Sequence, residues 1–147
     1  MKQENFLCKV LFTAKLTTVN KDGSPHVVPV WFVLAEHKNR TTKKIEDIIF
    51  TTYENSLKAT NIRRDNRVSI CVDDQTPQFS FVTIHGIAKI VHQKYNELLK
   101  LNTRIAERYM GKSNAKAYGK RNSTEGVILI RVKPTKIIAE KDIAAWE

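Results

Sequence analysis

The chain has 147 residues, a formal charge of +10 from 25 Lys and Arg against 15 Asp and Glu, and a hydrophobic content of 41%. That length suits one domain, residues 1–147, with one sizeable core, and the composition is too apolar and too mixed in charge for a disordered chain. No apolar run approaches the roughly 20 residues that span a bilayer, and Met1 to Lys9 lack the apolar centre of a signal peptide. The expectation is a cytoplasmic protein with no membrane partner. Cys8 and Cys71 stand far apart, and His26, His37, His85 and His92 form no pair at helical ligand spacing, so neither a disulfide framework nor a metal site is expected. The positive excess points to anions: nucleic acid, acidic lipid or a phosphorylated small molecule. Nucleic acid ranks last, because the strand-like stretches do not interleave aromatic residues with cations.

Leu11 to Asn20 is β-prone, and His26 to Ala35 is a β-branched and aromatic run; Lys21-Asp22-Gly23-Ser24-Pro25 between them is a hairpin signal. Glu36 to Lys44 reads as an exposed polar connection to a short strand at Ile48 to Thr52. A short helix follows over Ser56 to Arg64, capped by Asn55 or Ser56. Strands at Val68 to Val72 and Phe81 to Val91 are expected to pair antiparallel, with Gly86 marking a bulge or a close backbone approach. From Gln93 to Met110 the period becomes helical, with Leu98, Leu101 and Ile105 on one face and Tyr95, Leu99 and Tyr109 beside it. Gly111 ends that helix, a polar helix follows near Asn114 to Lys120, and Gly126 to Val132 with Lys136 to Ala139 supply closing strands. Many strands, tight turns and few helices favour a mainly β fold, an antiparallel barrel.

Thr51 to Lys58 lies where a strand gives way to a helix, which exposes backbone N–H groups and the positive end of the helix dipole. The hydroxyls of Thr52 and Ser56 and the cation of Lys58 would complete a phosphate seat there. The same spacing also describes an N-cap serine beside a solvated lysine.

Three further stretches resemble the pyridoxamine 5′-phosphate oxidase-like family of FMN-binding split β-barrels and its deazaflavin-dependent relatives. They are Ala14 to Val19 ahead of Asp22-Gly23-Ser24-Pro25, then Val28-Pro29-Val30-Trp31-Phe32, then Lys58 with Asn61 to Ile70. The long strand Val82 to Ile90 with its interior Gly86 continues the match, and Val132 to Ile137 looks like the closing strand. The resemblance implies a split barrel that binds FMN, with coenzyme F-420 as the alternative. It places Val28, Val30 and Trp31 against the isoalloxazine ring and Thr52, Ser56 and Lys58 at the phosphate. It also implies a homodimer with the cofactor at the interface, and a hydride passed between the cofactor and a small-molecule substrate. No catalytic side chain is assigned, since the cofactor carries the chemistry.

Two departures stand out. Leu57 occupies the position of the family's arginine in its Ser-Arg-Lys phosphate motif, which leaves Arg63, Arg64 or Arg67 as other cations or as a solvated corner with Asp65. The C-terminal tryptophan and Arg-Leu-rich segment with which the family's true pyridoxamine phosphate oxidases grip substrate are missing, and Trp146 does not replace them. Vitamin B6 oxidation is therefore not expected. A flavin or haem carrier without turnover remains the reading from another class.

Overall fold

The structure is a computed structural model that describes residues 3–8, 11–35 and 46–146. The Glu36 to Lys44 connection lies outside them. Among the described residues the chain runs α1 (Gln3–Leu7), β1 (Ala14–Val19), β2 (Pro25–Val30), β3 (Val33–Leu34), β4 (Ile48–Tyr53), α2 (Leu57–Arg64) and β5 (Arg67–Asp74). It continues with β6 (Ser80–Val91), α3 (Tyr95–Met110), α4 (Lys112–Arg121) and β7 (Val127–Glu140). The strands form one sheet, ordered β2-β1-β5-β6-β7-β4-β3, with every pairing antiparallel.

That order forces the sheet to curl. Laid flat, its seven strands would hold β2 and β3 about 29 Å apart at a spacing of ~4.8 Å. Yet only Trp31 and Phe32 join β2 to β3, and the three steps from Val30 to Val33 reach at most ~11 Å. The two sheet edges therefore close on one another into a split β-barrel. The main core fills it, with Leu16, Phe32, Phe50, Ile70, Ile84 and Ile130 among its buried side chains.

The hairpin turn falls where expected, with Gly23 at φ 86° between β1 and β2, a backbone conformation that glycine adopts without strain. The run from His26 to Ala35, however, is two strands on opposite edges. Its second half is apolar at every position because both faces are covered: Phe32 and Leu34 enter the barrel core, and Val33 and Ala35 enter a second cluster with Ile105 and Tyr109 of α3.

The two closing strands expected between Gly126 and Ala139 are one continuous β7. It carries Pro134, which has no N–H to give, where the β6–β7 register slips between His85 and Gly86. Gly86 is needed there: a Cβ would lie 2.6 Å from Val132 Cγ1 and 2.7 Å from the Lys133 carbonyl oxygen. The short α1 went unread in the sequence, though its Phe6 and Leu7 are fully buried.

Helix α3 pins the closure. The Tyr109 hydroxyl accepts from the Phe32 amide at 3.3 Å and donates to the Phe12 carbonyl at 2.8 Å. Arg108 Nη1 donates to the Phe32 carbonyl at 2.8 Å, and its guanidinium lies 4.3 Å from the centre of the Phe32 ring. Trp31 stacks nearly parallel on Tyr109, with ring centres 5.1 Å apart. Burial pushes the Tyr109 phenol above its ordinary pKa, so it stays protonated and able to donate. Tyr109→Phe is expected to lower stability by about 1–3 kcal/mol, since it leaves the buried Phe32 amide and the partly buried Phe12 carbonyl without that partner. Urea unfolding checks it: the midpoint falls at constant slope, and a midpoint equal to wild type would contradict the assignment.

Candidate functional site

A cleft of about 340 Å³ opens where the two edges of the sheet meet. The end of β2 and the closing connection supply Val30 and Trp31; β4 supplies Thr51, Thr52 and Tyr53. Lys58 enters from the first turn of α2, Asn102 and Ile105 from α3, and Asn122 from the end of α4. The cleft thus has an apolar end at Val30, Trp31 and Ile105 and a polar end around Lys58.

The N-terminus of α2 is set by Ser56. Its extended backbone, with φ −65° and ψ 155°, lets the side chain accept from the Ala59 amide at 3.3 Å. The Thr52 hydroxyl donates to Ser56 Oγ at 3.1 Å, which ties the end of β4 to the helix start. The buried Asn61 holds the same helix to β1 through Thr18 Oγ1 at 3.0 Å and Asn20 Oδ1 at 2.9 Å. Lys58 is thereby carried on a helix anchored at two points.

Lys58 is half-buried, and among the described residues its ammonium makes no salt bridge and no hydrogen bond. Burial holds its pKa below the ordinary lysine value of 10.5. The neighbouring arginines are engaged elsewhere. Arg63 donates to the Glu54 carbonyl at 2.6 Å, Arg64 to the Val19 carbonyl, and Arg67 pairs with Asp65 at 2.7 Å. Hydrogen bonds from Arg67 hold the Asp65 carboxyl at about 2. None of the three lines the cleft, and Leu57 is 51% exposed.

On the other wall, Asn102 is the hub. Its Oδ1 accepts from Thr51 Oγ1 at 2.7 Å, while its Nδ2 donates to the Asn122 carbonyl at 2.9 Å and to Ser123 Oγ at 3.0 Å. One buried amide therefore fixes β4, α3 and the α4–β7 turn around the cleft. Thr51, Tyr53, Asn102 and Asn122 were not singled out in the sequence. For Asn102 the signal was present, a polar residue in step with Leu98, Ile105 and Tyr109 on the buried stripe of α3.

Of the residues marked in the sequence, Val30, Trp31, Thr52 and Lys58 line this one cleft. Ser56 stands behind it as the helix cap. Val28 turns inward and packs against the barrel core, as alternation along β2 dictates once Val27 and Pro29 face outward. His85 lies on the opposite, outward face of the sheet, where its Nδ1 is 2.8 Å from Ser69 Oγ. Among the described residues no group of three or more His, Cys, Asp or Glu is placed to hold a metal ion, and no helix is long and apolar enough to cross a membrane.

Curled antiparallel sheet, two-residue closure and a polar cleft beside a helix start define the split-barrel class. The model of the pyridoxamine 5′-phosphate oxidase family matches residues 9–139, and the chain belongs to that family, whose members bind flavins. Among solved structures, a conserved hypothetical protein from Mycobacterium tuberculosis is similar at 23% identity and TM-score 0.75, over 95% of this chain and 82% of that one. An F-420 reductase is similar at 22% identity and TM-score 0.64, over 90% and 93%. The haem storage protein HutZ from Vibrio cholerae is similar at 18% identity and TM-score 0.64, over 92% and 89%. At these identities the likeness is one of fold. Comparison with curated proteins gives no match.

The depressed Lys58 pKa fixes the sign of its effect on stability. Below its folded pKa the ammonium is charged in both states, and the folded state carries the full cost of burying it. Between that pKa and 10.5 the unfolded chain binds more protons, so this cost is relieved as pH rises. Lys58→Met is therefore expected to be at least as stable as wild type at pH 7, with the difference shrinking toward pH 10.5. A loss of more than about 1 kcal/mol in urea at pH 7 would show that Lys58 has a structural partner.

Proposed function

We propose that the chain is a flavin-binding oxidoreductase that holds FMN in this cleft, with the phosphate at Lys58. The observation that carries the reading is the half-buried ammonium with no anionic partner among the described residues, set in the first turn of α2. Helix geometry leaves the first-turn amides without acceptors inside the helix, and the positive end of the dipole lies in the same place. An anion there gains a charge-assisted contact and relieves the cost of burying Lys58.

Thr52 and Ser56 contribute mainly by fixing the seat, since each hydroxyl already has the other as partner, and the Thr52 wall of the cleft limits where a phosphate can sit. At the other end Trp31, held flat on Tyr109, offers an apolar surface beside Val30 for a planar ring system. Val28 serves that end from behind, through the core. When bound, the flavin supplies hydride transfer to or from a small organic acceptor. The chain's own residues orient the ring, keep water from its apolar side and compensate the phosphate charge. The cleft stays open on one side, which suits a homodimer in which the partner subunit completes the cofactor site.

Coenzyme F-420 is the second reading, favoured by the excess of 25 cations over 15 carboxylates, which suits a cofactor with a longer polyanionic tail. A haem carrier is less well supported: among the described residues no histidine, cysteine or methionine lines the cleft.

Fluorescence titration with FMN and with riboflavin, which lacks the phosphate, tests the reading. Lys58→Ala is expected to weaken FMN about tenfold to a hundredfold, the worth of one charge-assisted phosphate contact, and to leave riboflavin unchanged. Equal weakening of both, or of neither, would remove Lys58 from the phosphate. F-420 binding while FMN does not would select the second reading.

A further inference from the structure

Helix α3 has a second apolar edge that the barrel does not use. Leu98, Ile105 and Tyr109 are buried, whereas Leu99 and Tyr95 line a cleft shared with α4 and are not fully buried. Tyr95 is 53% exposed and Leu99 half-buried. The helices touch at backbone distance beside this edge, because a Cβ on Gly119 would lie 2.2 Å from Thr103 Oγ1 and 2.8 Å from Thr103 Cα. Away from that point the side chains part to leave a cleft of about 610 Å³, well within the range of small-ligand sites.

Its rim is cationic. Lys100 and Arg104 come from α3 and Lys116 and Lys120 from α4, against the single carboxylate of Glu107. Lys100 leans toward Glu97 at 3.3 Å, and Arg104 donates to the Leu34 carbonyl. Lys116 and Lys120, one helical turn apart, have no anionic partner among the described residues. An apolar floor under an uncompensated pair of cations is complementary to a molecule with an apolar body and one negative head.

We propose that this α3–α4 cleft binds a small amphipathic anion, a carboxylate or sulfonate on an aliphatic or aromatic body, with the body on Leu99 and Tyr95 and the head at Lys116 and Lys120. The site is separate from the Lys58 cleft: α3 presents Asn102 and Ile105 to one and Leu99 and Thr103 to the other. It does not depend on which cofactor the Lys58 cleft takes.

The full chain is titrated with the aromatic sulfonate 8-anilinonaphthalene-1-sulfonate, then with dodecanoate and dodecyltrimethylammonium as competitors. The proposal expects saturable fluorescence displaced by dodecanoate and not by the cationic amphiphile. Lys116→Glu combined with Lys120→Glu should weaken dodecanoate about tenfold or more, because both positions are exposed and reverse charge without touching the core. Leu99→Asp should weaken it as well, while the urea midpoint of the charge-reversed variant stays at the wild-type value. No saturation below about 1 mM, equal displacement by the cationic amphiphile, or unchanged affinity in both variants overturns the proposal. So does charge-dependent sedimentation with phosphatidylglycerol vesicles in the absence of free dodecanoate binding, which would make the face a membrane surface instead.

Discussion

A connection of two residues, Trp31 and Phe32, holds the opposite edges of a seven-stranded sheet together, and the rest of the molecule follows from that closure. It curls the sheet into a split barrel, encloses one core, and brings the end of β2 beside β4, which stand five places apart in strand order. The long β6–β7 ladder, running from Phe81↔Glu140 to Val91↔Leu129, makes this possible by returning the chain after two helices and giving β4 a partner. Tyr109 and Arg108 then fasten both backbone polar groups of Phe32 from outside the barrel. The cleft is thus a by-product of closure, and its position is set by the same contacts that stabilise the fold.

Among the described residues most polar side chains of the cleft bond within the protein, whereas the Lys58 ammonium does not. Asn102, Thr51, Thr52 and Ser56 bond to one another or to the backbone, and they make the walls rigid. Among the described residues that line the cleft, Lys58 alone brings a charge, and it has no carboxylate partner among them. Burying a charge unpaired opposes folding, and an arrangement that keeps such a group suits a site whose partner arrives from solution. The three nearby arginines show the contrast, since Arg67 pairs with Asp65 while Arg63 and Arg64 donate to the Glu54 and Val19 carbonyls.

Much of this was legible in the sequence. Hairpin, capped α2, Gly86 and the amphipathic α3 are local signals, and each appears within a residue or two of where its chemistry puts it. The pattern of strands and turns favoured an antiparallel barrel, and the family resemblance on Val28 to Phe32 and Asn61 to Ile70 supplied its split form. What could not be read locally was whatever depends on two distant segments meeting. The run from His26 to Ala35 gives no hint that it changes sheet edge, because both halves are apolar and β-branched. Val28 and Val30 share the inward face of β2 and both pack with the core, and only closure against β4 brings Val30 to the cleft as well. Asn102 becomes a site residue only once β4 lies against α3.

The central claim is that the half-buried Lys58 ammonium is the seat of a phosphate, and its own titration tests that most directly. With lysine side chains labelled at Cε, NMR follows the Lys58 pKa in the cofactor-free chain, with riboflavin and with FMN. The account predicts a value below 10.5 in the free chain, little change with riboflavin, and a clear rise with FMN as the phosphate stabilises the charged form. An identical Lys58 titration with FMN and with riboflavin, both bound, would contradict it.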